Sequence, residues 1–522
     1  MIRPQGTCLK GHMAKKLPGH LSDRSALKPF FEIELAPTES GSRNVARNLQ
    51  AQLKAAIVDG RLPLAAQLPA TRQAQAFFGV SRNTLAEVYD ALLNEGYVVA
   101  RRGAGTFVAA TLPKAPSRAK RSGARASTHR LNTFWLRPEV TAAMGFWRDP
   151  PVQPTSRRAP AIDMRPALVD SRLFPHEIFR RVTAKQLRTL ERNPASYRSP
   201  QGNQGNYHLR NAITRHIALT RAVACYADDV LVTSGAQQAF DLLARVLVVP
   251  GETVVAIEDP GYPPMRVAFA AAGAKLVPVG VDDEGLMVDR LPADVGVICL
   301  CPSHQFPLGV TMSARRRRAL VEFARKHHAV IVEDDYDGEF RHDSGPLTAL
   351  RTPEAADVVF YVGTFSKCML PTLRLGFVVA PEWAMPTLTA AKNCLDWHCP
   401  TPLQRGVAAF IDEGHLTRHV RKMRQLYQRR REHLTQRLTT DFGEWLAPIP
   451  SLYGMHLSAQ AHGSHDWEPV TKTLLQANVK LHSFSRYFLG RETRAGLIFG
   501  FGCVDLAMID RGLSALRKAL SK

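Results

Sequence analysis

No stretch of the chain reaches eighteen apolar residues without a charge, which excludes a transmembrane helix and any membrane partner of that kind. The segment before Lys28 lacks a continuous apolar core and does not read as a secretory signal. Residues 1–30 are expected to form a disordered leader, within which Met13 is a second candidate start. None of the eight cysteines forms a C-x-x-C pair, so neither a zinc site nor a disulfide framework is expected. So many free thiols fit a reducing compartment, and the expected location is cytoplasmic. Acidic residues are also short: 46 Asp+Glu face 68 Lys+Arg, a formal net charge of +22 over 522 residues. A hydrophobic share of 45% is that of a globular protein, and the length suggests two to four domains. The charge is uneven, with +14 in residues 1–160 and +8 in the rest. A polyanion is the expected partner of the first third, nucleic acid before membrane surface.

From Asn44 to Val58, apolar residues Val45, Leu49, Leu53, Ala56 and Ile57 recur at spacings of three and four, the mark of an amphipathic helix. Asp59-Gly60 stops it. A short helix over about Thr71–Phe78 then meets Gly79-Val80, and a second opens at Ser81, a good N-cap. Two helices joined by so short a Gly-containing turn make a helix-turn-helix. The second would present Arg82, Asn83 and Thr84 in its first turn and bury Leu85, Val88, Tyr89 and Leu92. The run Y-V-V-A-R-R-G-A-G-T-F-V after Glu95-Gly96 reads as a hairpin with a basic tip, a wing able to lie on phosphates.

Residues 43–108 resemble the GntR type of winged-helix transcription regulator, through L-P-A-T-R, G-V-S-R-N-T, N-E-G-Y and R-R-G-A-G-T-F-V. The resemblance implies a winged helix-turn-helix over residues 31–110. It implies contacts with double-stranded operator DNA from Arg72, Ser81, Arg82, Thr84, Arg102 and Gly103. Leu64-Ala65 departs from the family, which usually has Pro-Gly there.

Residues 111–160 are rich in Pro, Ser, Ala, Gly and Arg, without hydrophobic period, and read as a flexible linker. Residues 113–160 alone carry +8, more than the +4 of residues 41–112, so the tether is expected to add salt-sensitive, sequence-blind affinity. Trp135, Phe146 and Trp147 are unusual in a tether, and part of this segment is expected to dock on a folded domain.

Beyond residue 161, apolar runs alternate with helical patterns: Val230–Val232, Val254–Ile257, Val295–Leu300, Val330–Val332, Val358–Val362 and Phe377–Val379. Such alternation points to an α/β domain with a largely parallel sheet, whose sites lie just beyond the strand ends. At those ends stand T-S-G-A-Q, E-D-P-G-Y-P, E-D-D-Y-D and G-T-F-S-K-C-M-L-P-T-L-R. Gly235, Ala236 and Gln237 open a helix whose backbone N–H groups suit a phosphate. Carboxylates clustered around Tyr336 either cap the next helix or meet a cation. The order, phosphate turn, aromatic turn, acid, then lysine followed by arginine, matches what pyridoxal 5'-phosphate requires.

The segment resembles the fold-type-I aminotransferases, and with the winged helix the whole resembles the MocR (GabR-like) subfamily of GntR regulators. The resemblance implies an aminotransferase-like domain over residues 161–522, with a small C-terminal α+β subdomain from about residue 400. It implies pyridoxal 5'-phosphate on Lys367 as an internal aldimine, with Asp334 on the pyridinium and Asp335 as the fallback if the register slips by one. Tyr336 would reach the ring oxygen and Tyr262 would stack on the ring. Gly235, Ala236, Gln237, Thr364, Ser366 and Arg374 would hold the phosphate. Phe306 stands where aminotransferases have an asparagine, and the C-terminal arginine run is replaced by L-I-F-G-F, which leaves Arg486 as the substitute for an effector carboxylate. The run from Tyr197 is longer than the family spacing. Arginines at 315–318 and 418–437 are expected on solvated helix faces, and Trp397-His398-Cys399 is not expected to bind metal.

Two functions remain open at this point. One is a homodimeric transcription regulator that senses the cofactor, or a small amine or amino acid joined to it. The other is a working aminotransferase with an appended DNA-binding domain.

Overall fold

The computed structural model describes residues 45–111, 132–146, 161–192, 194, 202–342, 348–451, 453–463 and 467–521. The leader, most of the linker and residues 197–201 of the Tyr197 run lie outside these. The chain divides into two compact units, residues 1–130 and 131–522.

In the first unit, α1 (Val45–Val58) buries Leu49, Leu53, Ala56 and Ile57, the stripe set by its apolar spacing. Helix α2 (Thr71–Phe78) ends on Gly79 in the left-handed conformation, φ 65°. Helix α3 (Arg82–Asn94) starts where the Thr84 amide donates to Ser81 Oγ, and it buries Leu85, Val88, Tyr89 and Leu92. Strands β1 (Val98–Arg101) and β2 (Gly105–Val108) pair antiparallel. The Leu64-Ala65 departure has a visible cost, because Ala65 adopts φ 61°, a region that crowds a Cβ. Ala65→Gly is therefore expected to stabilise this unit by about 0.5–1 kcal/mol, read as a higher unfolding midpoint in urea.

The second unit begins with a departure from the linker reading. Residues 132–146 form a 3-10 turn and α4 (Pro138–Gly145), which belong to the large unit rather than to a free tether. Val140 and Phe146 are buried at 3% and 4% exposure, so Phe146 marks a docked segment, whereas Trp135 is 56% exposed and Trp147 lies outside the described residues. Then follow β3 (Ile162–Asp163), α5 (His176–Arg192), α6 (Tyr207–Arg221), β4 (Val230–Thr233), α7 (Ala236–Leu247), β5 (Val254–Asp259) and α8 (Pro263–Ala271). The chain continues through β6 (Lys275–Asp282), β7 (Gly285–Leu286), β8 (Val295–Leu300), α9 (Ala314–Lys326), β9 (Val330–Asp335), β10 (Val359–Thr364) and β11 (Gly376–Val379). Helices α10 (Met385–Asp396), α11 (Thr401–Asp412) and α12 (His415–Asp441) lead to β12 (Leu446–Pro448) and β13 (His456–Ala461). Last come α13 (Glu468–Gln476), β14 (Val479–Lys480), β15 (His482–Ser483), β16 (Gly496–Gly500) and α14 (Leu506–Leu520).

Eight strands form one sheet in the order β4-β11-β10-β9-β8-β5-β6-β7, and β12, β13, β16 and β15 form a second. Within the large sheet, neighbours from β10 across to β6 run parallel. Strand β11 is antiparallel to both β10 and β4, as β7 is to β6, so the sheet is mixed. Alternate residues feed opposite faces, as a doubly covered sheet requires. Val255, Ile257, Val297 and Val332 pack with α7 and α8 side chains, whereas Ala256, Ile298 and Ile331 pack with those of α9.

One arginine of the long helix α12 departs from the solvated-face reading. Arg430 is 6% exposed and donates to the carbonyls of Phe501 and Gly502, just past the end of β16. In α9, Arg317 likewise donates to the Pro302 carbonyl at 2.9 Å and fixes the loop after β8.

Candidate functional site

The ends of β4, β5, β9 and β10 open on one cavity of about 520 Å³, and nine predicted cofactor residues line it. These are Ala236, Gln237, Tyr262, Asp334, Tyr336, Thr364, Ser366, Lys367 and Arg374. Gly235, the tenth, is not among the lining residues; it immediately precedes α7, with φ 80°. A Cβ on Gly235 would lie 3.0 Å from Arg374 Nη2, so the position admits glycine for space as well as for backbone. Arg374 Nη2 donates to the Ser234 carbonyl at 3.0 Å, which aims a guanidinium at the first turn of α7. On the other side the Ser366 amide donates to Thr364 Oγ1 at 3.2 Å, and the two hydroxyls lie 3.0 Å apart. Helix amides, two hydroxyls and a guanidinium make a dianion cradle.

The two adjacent aspartates differ in what they touch. Asp335 Oδ2 accepts from Arg221 Nε at 2.5 Å and from Tyr361 Oη at 2.6 Å, a buried network facing away from the cavity. Asp334 lines the cavity, is 5% exposed, and its Oδ1 has no hydrogen-bond partner among the described residues. Burial, with Asp335 beside it, pushes the Asp334 carboxyl up to about 7. A buried carboxylate with one empty oxygen is suited to a cationic N–H placed in the cavity. The register between the two candidates is set by the ladder, in which Asp334 faces Val362 and Asp335 faces Gly363.

Lys367 follows β10 and reaches across the cavity, where Nζ donates to the Ala167 carbonyl at 2.6 Å. Burial pushes its amine down to about 8, against the pull of Asp337 and Asp334. Tyr262 and Tyr336 flank it, and the Phe306 ring meets both edge-on at 5.5 and 5.6 Å. Phe306 is 3% exposed and gives the cavity an apolar wall where an asparagine would give a donor.

Behind Tyr336 lies a cluster that the sequence reading missed. His304 Nδ1 lies 2.8 Å from Tyr336 Oη and 3.1 Å from both oxygens of Asp337, and the His456 ring is 4.5 Å from that of His304. The ligating atoms of His304, Asp337 and His456 lie within 4.8 Å of one another. Burial pushes Asp337 up to about 8 and both histidines down to about 3, so all three are mainly neutral at pH 7. They join residues 33 and about 150 positions apart, and no local spacing signals that. The other missed wall is the docked segment, which contributes Trp135, Val140, Ala143 and Met144.

Arg486 is not among the lining residues of this cavity. It is exposed and lines a separate cavity with Arg137 and Arg266. The turn Phe484–Tyr487 buries Phe484 and Tyr487 instead, and Tyr487 meets Phe306 and Phe146 edge-on. In the first unit, Arg72, Ser81, Arg82, Arg102 and Gly103 are exposed or half-buried, and Thr84 is half-buried with its hydroxyl 2.8 Å from Ser81 Oγ.

Residues 174–481 match the family described as aminotransferase class I and II, and residues 45–108 match bacterial regulatory proteins of the gntR family. The chain is 32% identical to the probable rhizopine catabolism regulatory protein MocR of Rhizobium meliloti, covering 91% of this chain and 93% of that one. It is also 32% identical to the HTH-type transcriptional regulator TauR of Rhodobacter capsulatus, covering 94% and 99%. Among solved structures, the α-aminoadipate aminotransferase LysN of Thermus thermophilus, complexed with N-(5'-phosphopyridoxyl)-L-leucine, superposes with a TM-score of 0.62 at 25% identity. That match covers 69% of this chain and 92% of LysN.

Proposed function

The chain belongs to the MocR subfamily of GntR transcription regulators, and from that premise we propose that it holds its cofactor on Lys367 and reads a small amine or amino acid there. The cofactor is pyridoxal 5'-phosphate, which supplies an aldehyde that condenses with primary amines and a ring nitrogen that is cationic when protonated. Lys367 would hold it, Asp334 would keep the ring proton, Tyr336 would meet the ring oxygen, and Tyr262 would cover the ring. Gly235, Ala236, Gln237, Thr364, Ser366 and Arg374 would take the phosphate. The observation that carries this assignment is the empty Asp334 Oδ1, buried in the same cavity as a lysine whose amine is half neutral near pH 8.

The winged helix is the DNA-binding part. Arg72, Ser81, Arg82, Thr84, Arg102 and Gly103 are the proposed contacts, in a cytoplasmic homodimer that would present two winged helices to repeated half-sites. Binding of an amine shifts operator affinity only if it favours one arrangement of the regulator over another. Arg82→Ala is expected to weaken operator binding about tenfold, and Arg102→Ala to lower the salt slope by about one, both read by fluorescence anisotropy across salt.

The test is footprinting of the upstream region with and without cofactor and amines, run beside a transamination assay. Protection that changes with ligand supports the reading. Fast multiple turnover without operator protection would overturn it in favour of an enzyme.

A further inference from the structure

Helix α4 divides two cavities. Val140, Ala143 and Met144 line the cofactor cavity, at the i, i+3, i+4 spacing of one helix face. Glu139 and Ala142, three apart on another face, and Phe146 line a second cavity of about 700 Å³, whose other walls come from α8, β6 and the loop after residue 485. Arg137, Arg266 and Arg486 all line this second cavity.

Arg266 is the unusual member. It sits in α8 at 7% exposure, and its Nη1 has no hydrogen-bond partner among the described residues. Burial pushes its guanidinium down to about 10, and Asp259 is the acid that pulls the other way. Asp259 is already committed, since its two oxygens accept from the Leu489 and Gly490 amides at 2.7 and 2.9 Å. Buried cations are ordinarily paired, and a guanidinium that lacks a planar acceptor matches a carboxylate bidentately. Glu139, the acid in the lining, stands 3.8 Å from Arg137 instead. Phe146, Leu276 and Phe488 supply apolar walls beside these cations.

We infer that this second cavity binds a small organic carboxylate with an apolar body, its carboxylate held by Arg266 and Arg486. The site is separate from the lysine-bearing cavity and does not depend on what that cavity holds. Its occupant would touch the opposite face of α4, the helix that also walls the cofactor cavity.

The experiment is calorimetric titration of the full-length, cofactor-loaded protein with sodium benzoate, and with neutral benzamide as its isosteric control. Benzoate should bind at least about tenfold tighter than benzamide, because its carboxylate adds a charge-assisted contact with Arg266 and Arg486 that the neutral amide lacks. Arg266→Met should weaken benzoate at least about tenfold. Arg486→Gln, at an exposed position, should weaken it several-fold, and the cofactor-free wild type should bind benzoate within about twofold of the loaded protein. Benzoate that fails to bind, binds no better than benzamide, or binds Arg266→Met and Arg486→Gln as it binds the wild type overturns the inference. Benzoate that binds the cofactor-free protein and is lost on loading overturns it too, because the probe would then lie in the cofactor cavity.

Discussion

Lys367→Ala is expected to abolish covalent capture of pyridoxal 5'-phosphate completely. The visible absorbance of the loaded protein should vanish, and no cofactor adduct should survive borohydride reduction and denaturation. No other lysine is among the described residues lining the cavity, and Lys367 Nζ, held 2.6 Å from the Ala167 carbonyl, is already inside it. The attacking species is the neutral amine, and burial places the amine's titration at about 8. Capture by the wild type should therefore quicken as the pH rises from 6.5 and level off above about 9, as stopped-flow absorbance would record. Asp334→Asn separates the roles. It keeps the lysine and the phosphate cradle, so it should still capture the cofactor, with a weaker affinity and a shifted absorption band. A variant without Lys367 that retained the reduced adduct would place the attachment elsewhere.

Where sequence reading succeeded, the signal was local. The strand-end positions of Gly235, Tyr262, Asp334 and Lys367 follow from apolar runs that are buried on both faces, and a strand that must end within a few residues delivers the next side chain to the sheet edge. The winged helix was legible for the same reason, since Ser81 caps α3 and Leu85, Val88, Tyr89 and Leu92 repeat at helical spacing. Non-local pairing was hidden. Asp334 and Asp335 are distinguished by Arg221, 114 residues upstream, which takes one of them out of the site. His304 and Asp337 meet beyond the ends of β8 and β9, neighbours in the large sheet, and His456 joins them from β13 of the second sheet. Composition misled in both directions at the arginines. A basic run on α12 reads as solvated, yet Arg430 is recruited inward by two carbonyls at a strand end. The resemblance offers Arg486 for an effector carboxylate; it is exposed and not among the residues lining the cofactor cavity, and the local turn spends its inward positions on Phe484 and Tyr487. The linker's composition concealed α4 because its apolar residues are few, and they become a face only when α8 is there to receive them.

The second large effect concerns pH. Three buried carboxyls, Glu258, Asp334 and Asp337, are pushed up by burial to about 8, 7 and 8. In the unfolded chain they ionise near ~4. Between about pH 4 and 8 these three groups hold more protons in the folded state than in the unfolded state, and their contribution to stability falls as pH rises. The stabilising contribution is fully present below about pH 4, is lost progressively, and is gone once the pH passes the folded values. His304 and His456, held neutral by burial, act in the opposite sense below about pH 6.5, so the fall is clearest above it: cofactor-free protein should melt roughly 2 °C or more lower at pH 8.5 than at pH 7, since each kcal/mol moves a large domain by about 2 °C. The loss should shrink in the loaded protein, because a cationic ring nitrogen held by Asp334, as proposed, would favour its ionised form. Asp334→Asn should flatten part of the slope without cofactor and remove the cofactor's protection at high pH. Scanning calorimetry of the full chain, following the transition of the larger unit, measures all four conditions. Equal midpoints at the two pH values in the cofactor-free protein would mean that these carboxyls ionise as freely in the fold as outside it. The empty Asp334 oxygen would then lose its standing as the cofactor's anchor.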